Sequence, residues 1–240
     1  MEVRIMENAF EISKEVSSIL INKVKENPHA VLGFATGASP VETYKRMIEA
    51  FEKGEVSFKN VTTFNLDEYC GLTHEDENSY YWFMKENLFG KVDIDYEKVN
   101  FLSGDEAKSE KSCREYSEKI SRAGGIDIQL LGIGTNGHIG FNEPADSFSD
   151  GPFKVRLTSS TISSNSKYFV NKKMPEYALT MGIGDIMRAR KIVLIATGEG
   201  KANAVFKMIK GEVSPSCPAS VLQNHNDVIV YLDKESAKLL

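Results

Sequence analysis

Short, continuously apolar runs at residues 30–35, 61–66, 126–133, 192–196 and 228–232 alternate along this chain with longer segments of helical period. Such runs, rich in Val, Ile and Leu, suit strands buried on both faces, the condition met in a parallel sheet sandwiched between helices. Between residues 8 and 26, Ala9, Ile12, Val16, Ile19, Leu20 and Val24 recur close to a 3.6-residue period, and Pro28 closes that helix. Ser39-Pro40-Val41-Glu42 predicts a second helix, with serine as N-cap and proline at the first helical position. Further helices are predicted over 79–88, 109–123 and 201–209, further short strands at 155–158 and 178–181, and a polar loop over 67–77. The alternation predicts an α/β fold: Rossmann-like, with a mostly parallel sheet and helices on both faces. No linker or repeat interrupts residues 1–240, so one domain is expected.

In such folds the loops after the carboxyl ends of the strands line the binding crevice. The stretch Leu130-Leu-Gly-Ile-Gly-Thr-Asn-Gly-His-Ile-Gly-Phe-Asn-Glu-Pro144 is a strand running into one of those loops. Its Gly132-x-Gly134-x-x-Gly137 matches the dinucleotide-binding spacing. That fingerprint needs a helix opening at its last glycine and an acidic residue about 20 positions on. Here Pro144 and the polar run 146–150 follow, and residues 157–160 hold no carboxylate, so a nicotinamide site is rejected. What remains is His138, whose residue type gives and takes protons near neutrality. Glu143 stands five residues on and is expected to hold one ring nitrogen and fix the tautomer.

Other strand ends carry residues of interest. Thr36-Gly37-Ala38-Ser39 lies between a strand and a helix, where small residues let backbone N–H groups approach an anion and the helix dipole favours one. Asp67 and Glu68 are adjacent at a strand end. Neighbours in extended chain point to opposite faces, so one is expected to face the crevice as a base and the other to be tied into hydrogen bonds. Lys201, in Thr197-Gly-Glu-Gly-Lys201, sits at a helix start, where a bound phosphate would justify a cation. Neither a nucleophile elbow nor a Ser-His-Asp spacing is present, so covalent catalysis is not indicated. Together these residues point to general acid–base work on a phosphorylated small molecule.

Composition narrows the alternatives. A net charge of −5 argues against a nucleic-acid surface. Cys70, Cys113 and Cys217 are far apart, and the histidines show no metal-ligand spacing, so neither a disulfide framework nor a metal site is expected. The first residues lack a signal-peptide core, and no apolar run nears the about 20 residues a membrane span takes. A cytoplasmic location, without membrane or nucleic-acid partner, is expected.

Thr63-Phe-Asn-Leu-Asp-Glu-Tyr69 together with Gly132 to Pro144 resembles the glucosamine-6-phosphate deaminase (glucosamine/galactosamine-6-phosphate isomerase) family, with similarity running from about Val31 to Leu232. The resemblance implies conversion of glucosamine 6-phosphate to fructose 6-phosphate and ammonia without metal or organic cofactor. It implies that Asp67 moves the proton between C2 and C1, and that His138 opens the pyranose ring with Glu143 as partner. It places Thr36, Gly37 and Ala38 on the phosphate turn and Lys201 on a phosphate lysine. Lys167 falls where other members have arginine, which keeps the charge and loses the bidentate fork. Asn136 falls where some members have aspartate; it is expected to accept a hydrogen bond from the imidazole without adding charge. Regulated hexameric members carry a longer C-terminal tail, so little activation by N-acetylglucosamine 6-phosphate is expected, and a monomer fits while a homo-oligomer stays open.

Close competitors are galactosamine-6-phosphate isomerase and 6-phosphogluconolactonase. A lactonase needs no base for C2–C1 transfer, so Asp67 favours the deaminase. A sugar-phosphate sensor domain would need a DNA-binding module, for which one helix before the first strand leaves no room. Residues 159–175, polar, glycine-free and containing Lys167, are expected to form a lid.

Overall fold

The computed structural model describes residues 1–170 and 172–240; Asn171, inside the expected lid, lies outside the described residues. The chain opens with β1 (Glu2–Met6), α1 (Ala9–Glu26), β2 (Val31–Phe34) and α2 (Val41–Glu52). β3 (Thr62–Asn65) runs almost directly into β4 (Asp67–Tyr69), and α3 (Tyr80–Asn87), β5 (Val99–Asn100), α4 (Ser109–Arg122) and β6 (Ile128–Leu131) follow. The second half holds β7 (Phe153–Arg156), α5 (Ser159–Asn165), β8 (Tyr177–Thr180) and α6 (Ile183–Met187). It closes with β9 (Lys191–Ala196), α7 (Ala202–Lys210) and β10 (Val228–Asp233).

Among the described residues, seven strands form one parallel sheet in the order β1-β10-β9-β6-β2-β3-β5. The chain builds outward from β2 through β3 to β5, then returns to the other side of β2 with β6. That reversal opens a crevice beyond the carboxyl ends of β2 and β6, the switch point where doubly wound sheets bind ligands. The expected architecture is therefore present, with helices on both faces. On one side Ile12, Val16, Leu20, Tyr44 and Met47 pack against Leu32, Phe34, Ile128 and Leu130. On the other, Tyr116, Ile120, Ile186, Val205 and Met208 meet Phe64, Leu131 and Leu194. Each such aliphatic side chain contributes about 1.5–3 kcal/mol on burial, so the strand ends rest on a base that moves little.

Besides β1, which the sequence reading did not expect, two features depart from it. β7 and β8 do not join the parallel sheet; with β4 they make a three-stranded antiparallel sheet, β4-β8-β7. The residues expected to begin a polar loop are thus strand: Asp67 pairs with Thr180 and Tyr69 with Ala178. The Met181 N–H donates to the Leu66 carbonyl at 2.6 Å and joins this small sheet to the end of β3. Ser39 does not cap α2; Pro40 occupies the cap position and no side chain serves as cap. The expected starts of α3 and α4 hold within a residue. Ser79 caps α3 by accepting the Trp82 N–H at 3.0 Å, an interaction worth about 1 kcal/mol.

Candidate active site

The loop after β6 is held in shape by its own backbone. Gly134 N–H donates to the His138 carbonyl at 2.9 Å and Gly137 N–H to the Gly134 carbonyl at 3.0 Å. Gly134 is required because the His138 ring lies against it: a Cβ there would sit 2.3 Å from the ring. Asn142 clamps the far side of the loop. Its amide donates to the carbonyls of Ile139 and Met181, and its oxygen accepts from Ser149 Oγ at 2.6 Å.

Glu143, nearly buried, faces the histidine. Its Oε2 stands 3.4 Å from His138 Nδ1, within ion-pair range, and accepts from Asn136 Nδ2 at 2.7 Å. Its Oε1 accepts from Thr161 Oγ1 at 2.5 Å and Thr158 Oγ1 at 3.2 Å. Burial by itself would raise this carboxyl, but His138 together with the Thr161 and Asn136 donors outweighs it and holds the pKa at about 2. Glu143 is therefore a fixed anion at neutral pH. Asn136 does not touch the imidazole as expected. Its oxygen accepts the backbone N–H of His138 at 3.2 Å, and its amide reaches the ring only through Glu143. With Nδ1 turned to Glu143, Nε2 is the ring nitrogen left for a substrate.

Asp67 and Glu68 divide as the alternation of strand side chains requires. Glu68 turns to the start of α3, where Oε1 accepts from Tyr69 and Tyr80 N–H and Oε2 from Tyr81 N–H, all within 2.9 Å. Burial pushes its pKa up to about 7 against the pull of those donors. Asp67 is 6% exposed and, among the described residues, its carboxylate accepts no hydrogen bond. Burial, reinforced by the neighbouring Glu68, raises it well above the usual carboxylate value. A Cβ on Gly140 would lie 3.5 Å from Asp67 Oδ2, which places this carboxylate against the histidine loop.

The cationic side of the crevice comes from β2, β9 and the segment after β7. Gly37 takes φ +96°, a conformation that L side chains resist, and turns the chain between β2 and α2. Among the described residues the N–H groups of Gly37 and Ala38 donate to no protein acceptor. The Thr36 hydroxyl lies near the buried Tyr80 hydroxyl, which donates to Tyr69 Oη at 3.1 Å. Lys201 ends a one-turn 3-10 segment (Glu199–Lys201), one residue before α7. Asp233 braces that turn by accepting Gly198 N–H on both oxygens, at 2.9 and 3.1 Å. Burial, and the charge of Lys167, hold the Lys201 ammonium below the ordinary lysine value. Lys167 itself is exposed, over the Tyr168 ring at 5.1 Å. Among the described residues neither ammonium has a carboxylate partner, and no group of three or more His, Cys, Asp or Glu side chains is arranged to hold a metal ion.

The structure thus joins Asn136, His138, Glu143 and Asp67 around one loop, and couples Lys167 to Lys201 by charge. It also adds residues the sequence reading missed. Tyr80 and Tyr69 link the Thr36 turn to Asn165 at the end of α5, whose amide donates to Tyr69 Oη at 3.1 Å. Thr158 and Thr161 link α5 to Glu143. The aromatic run at 80–83 signals a packed helix in the sequence, while nothing there names the partners of its hydroxyls.

A family model described as glucosamine-6-phosphate isomerases/6-phosphogluconolactonase matches residues 7–231. A glucosamine-6-phosphate deaminase of Thermoanaerobacter sp. (strain X514) is 46% identical over 241 residues, 100% of this chain and 95% of that protein. Another, of Clostridium novyi (strain NT), is 47% identical over 96% of each chain. The solved structure of a monomeric glucosamine-6-phosphate deaminase superposes with TM-score 0.97 at 41% identity, over 100% of both chains. A 6-phosphogluconolactonase from Trypanosoma brucei shares the fold, with TM-score 0.78 at 18% identity over 100% of this chain and 98% of its own. The match over nearly all of its length, with identities of 41–47% to several members, shows that this chain belongs to the glucosamine-6-phosphate isomerase/6-phosphogluconolactonase family.

Proposed function

We propose that this protein converts glucosamine 6-phosphate and water to fructose 6-phosphate and ammonia by general acid–base catalysis, without a cofactor. The observation that carries the reading is Asp67. It is a buried carboxylate that accepts no hydrogen bond among the described residues, made more basic by its surroundings, and set against the loop that presents His138. A base poised in this way serves a reaction that must remove a proton from carbon.

The 6-phosphate is held by the N–H groups of the 36–38 turn and the ammonium groups of Lys201 and Lys167, which fix an otherwise floppy open chain. His138 Nε2 accepts the O1 proton and returns one to the ring oxygen as the C1–O5 bond breaks, exposing a C1 aldehyde. Glu143 holds Nδ1 and stabilises the imidazolium formed in passing. Asp67 removes the acidified C2 hydrogen while a proton of the C2 ammonium passes to O1, giving an enolamine, and then delivers its proton to C1. The resulting imine at C2 takes up water and expels ammonia, so the net reaction is a hydrolytic deamination. Asn136 orients Glu143 and the backbone of His138.

Lactone hydrolysis uses no proton transfer between neighbouring carbons and would leave Asp67 without a task; the lactonases compared share the fold at 18% identity or thereabouts. Galactosamine 6-phosphate differs only in the C4 hydroxyl and is the nearest competing substrate. The 0.97 superposition on a monomeric deaminase supports a monomer. No helix among the described residues is long and apolar enough to cross a membrane, and a cytoplasmic location agrees with a phosphorylated substrate. Purified protein is expected to release ammonia from glucosamine 6-phosphate, with galactosamine 6-phosphate and 6-phosphogluconolactone assayed alongside. No ammonia from either amino sugar, with hydrolysis of the lactone, would overturn the assignment.

A further inference from the structure

The two oxygens of Glu143 belong to different parts of the molecule. Oε2 faces His138 and Asn136 on the loop after β6. Oε1 is held by α5: by the Thr161 hydroxyl, the Thr158 hydroxyl and, at 3.4 Å, the Thr158 N–H. Thr158 is the N-cap of α5, and Thr161 is buried on its first turn. From there the helix passes into a 3-10 turn (Ser166–Tyr168) that contains Lys167. One short rod therefore carries, at one end, the hydroxyls that hold the partner of the histidine. At its other end it carries the exposed Lys167 ammonium, whose charge is felt at Lys201.

We propose that Thr161 is a positioning residue through which phosphate capture by Lys167 sets the orientation of His138. The proposal rests on the reading of this crevice as a sugar-phosphate site. The Nδ1–Glu143 separation of 3.4 Å is longer than a charge-assisted hydrogen bond, normally about 2.7–2.9 Å. A few tenths of an ångström of carboxylate movement would close it. Asn136 pins Oε2 from a loop seated on the core, so the free adjustment comes from the Oε1 side, where Thr161 makes the shortest contact. Other groups tie α5 to the phosphate side. Asn165 donates to Tyr69 Oη, Tyr80 donates to the same oxygen, and the Tyr80 hydroxyl lies near Thr36 on the phosphate turn. When an anion draws Lys167 toward Lys201, the rod shifts and Thr161 carries that shift into Glu143. Ring opening is then favoured only once the phosphate is in place.

Inorganic phosphate serves as the probe, because it loads the cationic side without touching the chemistry. The His138 Hε1 resonance of the full chain, assigned by its loss in His138→Gln, is expected to shift on phosphate addition. In Thr161→Val, phosphate should still bind within about twofold of native while the His138 response disappears. With glucosamine 6-phosphate, kcat of that variant should fall about tenfold, the low end for loss of an orienting partner, with KM within about twofold. Thr161→Ser, which restores the hydroxyl, should recover both. Because a buried valine risks misfolding, the exposed Lys167→Gln gives an independent arm: phosphate held by Lys201 alone should leave His138 unmoved. An undiminished His138 response in Thr161→Val or Lys167→Gln overturns the coupling, whether or not ammonia is produced. A response that needs both residues in a protein releasing no ammonia upholds the coupling and removes the reaction assignment.

Discussion

Asp67, at the start of β4, and Glu143, in the loop after β6, are carboxylates of nearly equal burial, 6% and 8% exposed, with opposite chemistry. Asp67 meets no donor among the described residues, and burial, reinforced by the neighbouring Glu68, raises its pKa. Glu143 is met by Asn136, Thr158, Thr161 and His138, and is driven down to about 2. Burial by itself therefore decides nothing. The donors placed around each group make one a base and the other a permanent anion, and a single crevice gains two roles from one functional group.

The most damaging way to break the contrast is to remove the base. Asp67→Asn keeps the shape and should lower kcat by about 10³-fold or more, the scale of a lost general base. Since the native carboxylate is buried and has no hydrogen-bond partner among the described residues, the variant should not lose stability. Its Tm is expected to rise by about 2 °C, the response of a domain this size to somewhat under 1 kcal/mol. A fall in Tm together with activity would show that Asp67 is a structural anchor.

Glu143→Gln should behave in the reverse sense. The glutamine keeps a side chain near Nδ1 but loses the charge that stabilises the imidazolium, so kcat should drop about 10²-fold. It also leaves donors facing an amide, and stability should fall by on the order of 1–2 kcal/mol, a figure already discounted for screening at the crevice mouth. Steady-state ammonia release and thermal melts on the same samples check both. Equal and opposite stability changes in the two variants would give the sharpest form of the comparison.

The same contrast was half legible in the sequence. The alternation of strand side chains separated Asp67 from Glu68, and the glycines around His138 marked a loop that brings backbone and ring into contact. Both signals are local. Thr161 was hidden because its partner is 18 residues away and it sits in a run of Ser and Thr that reads as an ordinary polar surface. β1 was missed for a related reason. Glu2-Val-Arg-Ile-Met6 mixes charge with apolar residues and becomes a strand only by pairing with β10 at the other end of the chain. The small antiparallel sheet escaped notice because β4, β7 and β8 are each too short to declare their partners, and their direction is set by the loops that join them.

Titration offers a milder perturbation. The folded-state pKa of Glu143, depressed to about 2 from an ordinary value of 4.5, means that the unfolded chain binds the extra proton between those values. Its stabilisation is full above about pH 4.5 and is lost as pH falls toward 2. Asp67, raised from 3.8, works the other way: the folded state holds the proton longer, so stability falls as pH rises through the interval above 3.8. Tm measured against pH should therefore lose a rising limb in Glu143→Gln and a falling limb in Asp67→Asn. The rate should also show an acid limb above the ordinary carboxylate range, set by protonation of Asp67. An acid limb near pH 4 would mean that its burial does not govern catalysis.

The smallest expected effect lies on the cationic side, and it tests whether the division of labour between the carboxylates is independent of how the phosphate is gripped. Lys167 is exposed and acts as a point charge, so Lys167→Arg leaves the field at Lys201 nearly unchanged while adding a planar fork of donors. One further charge-assisted hydrogen bond at an exposed position is worth about 1 kcal/mol, close to a fivefold lower KM. Because the arginine retains the charge that draws α5 inward, kcat should stay within about twofold of native. A change in kcat with KM held would show that the reach of the Lys167 side chain, as well as its charge, fixes how α5 presents Thr161 to Glu143. The fixed anion of the crevice would then be tuned from the phosphate side, while Asp67, bonded to nothing on α5, would keep its acid limb where the native protein has it.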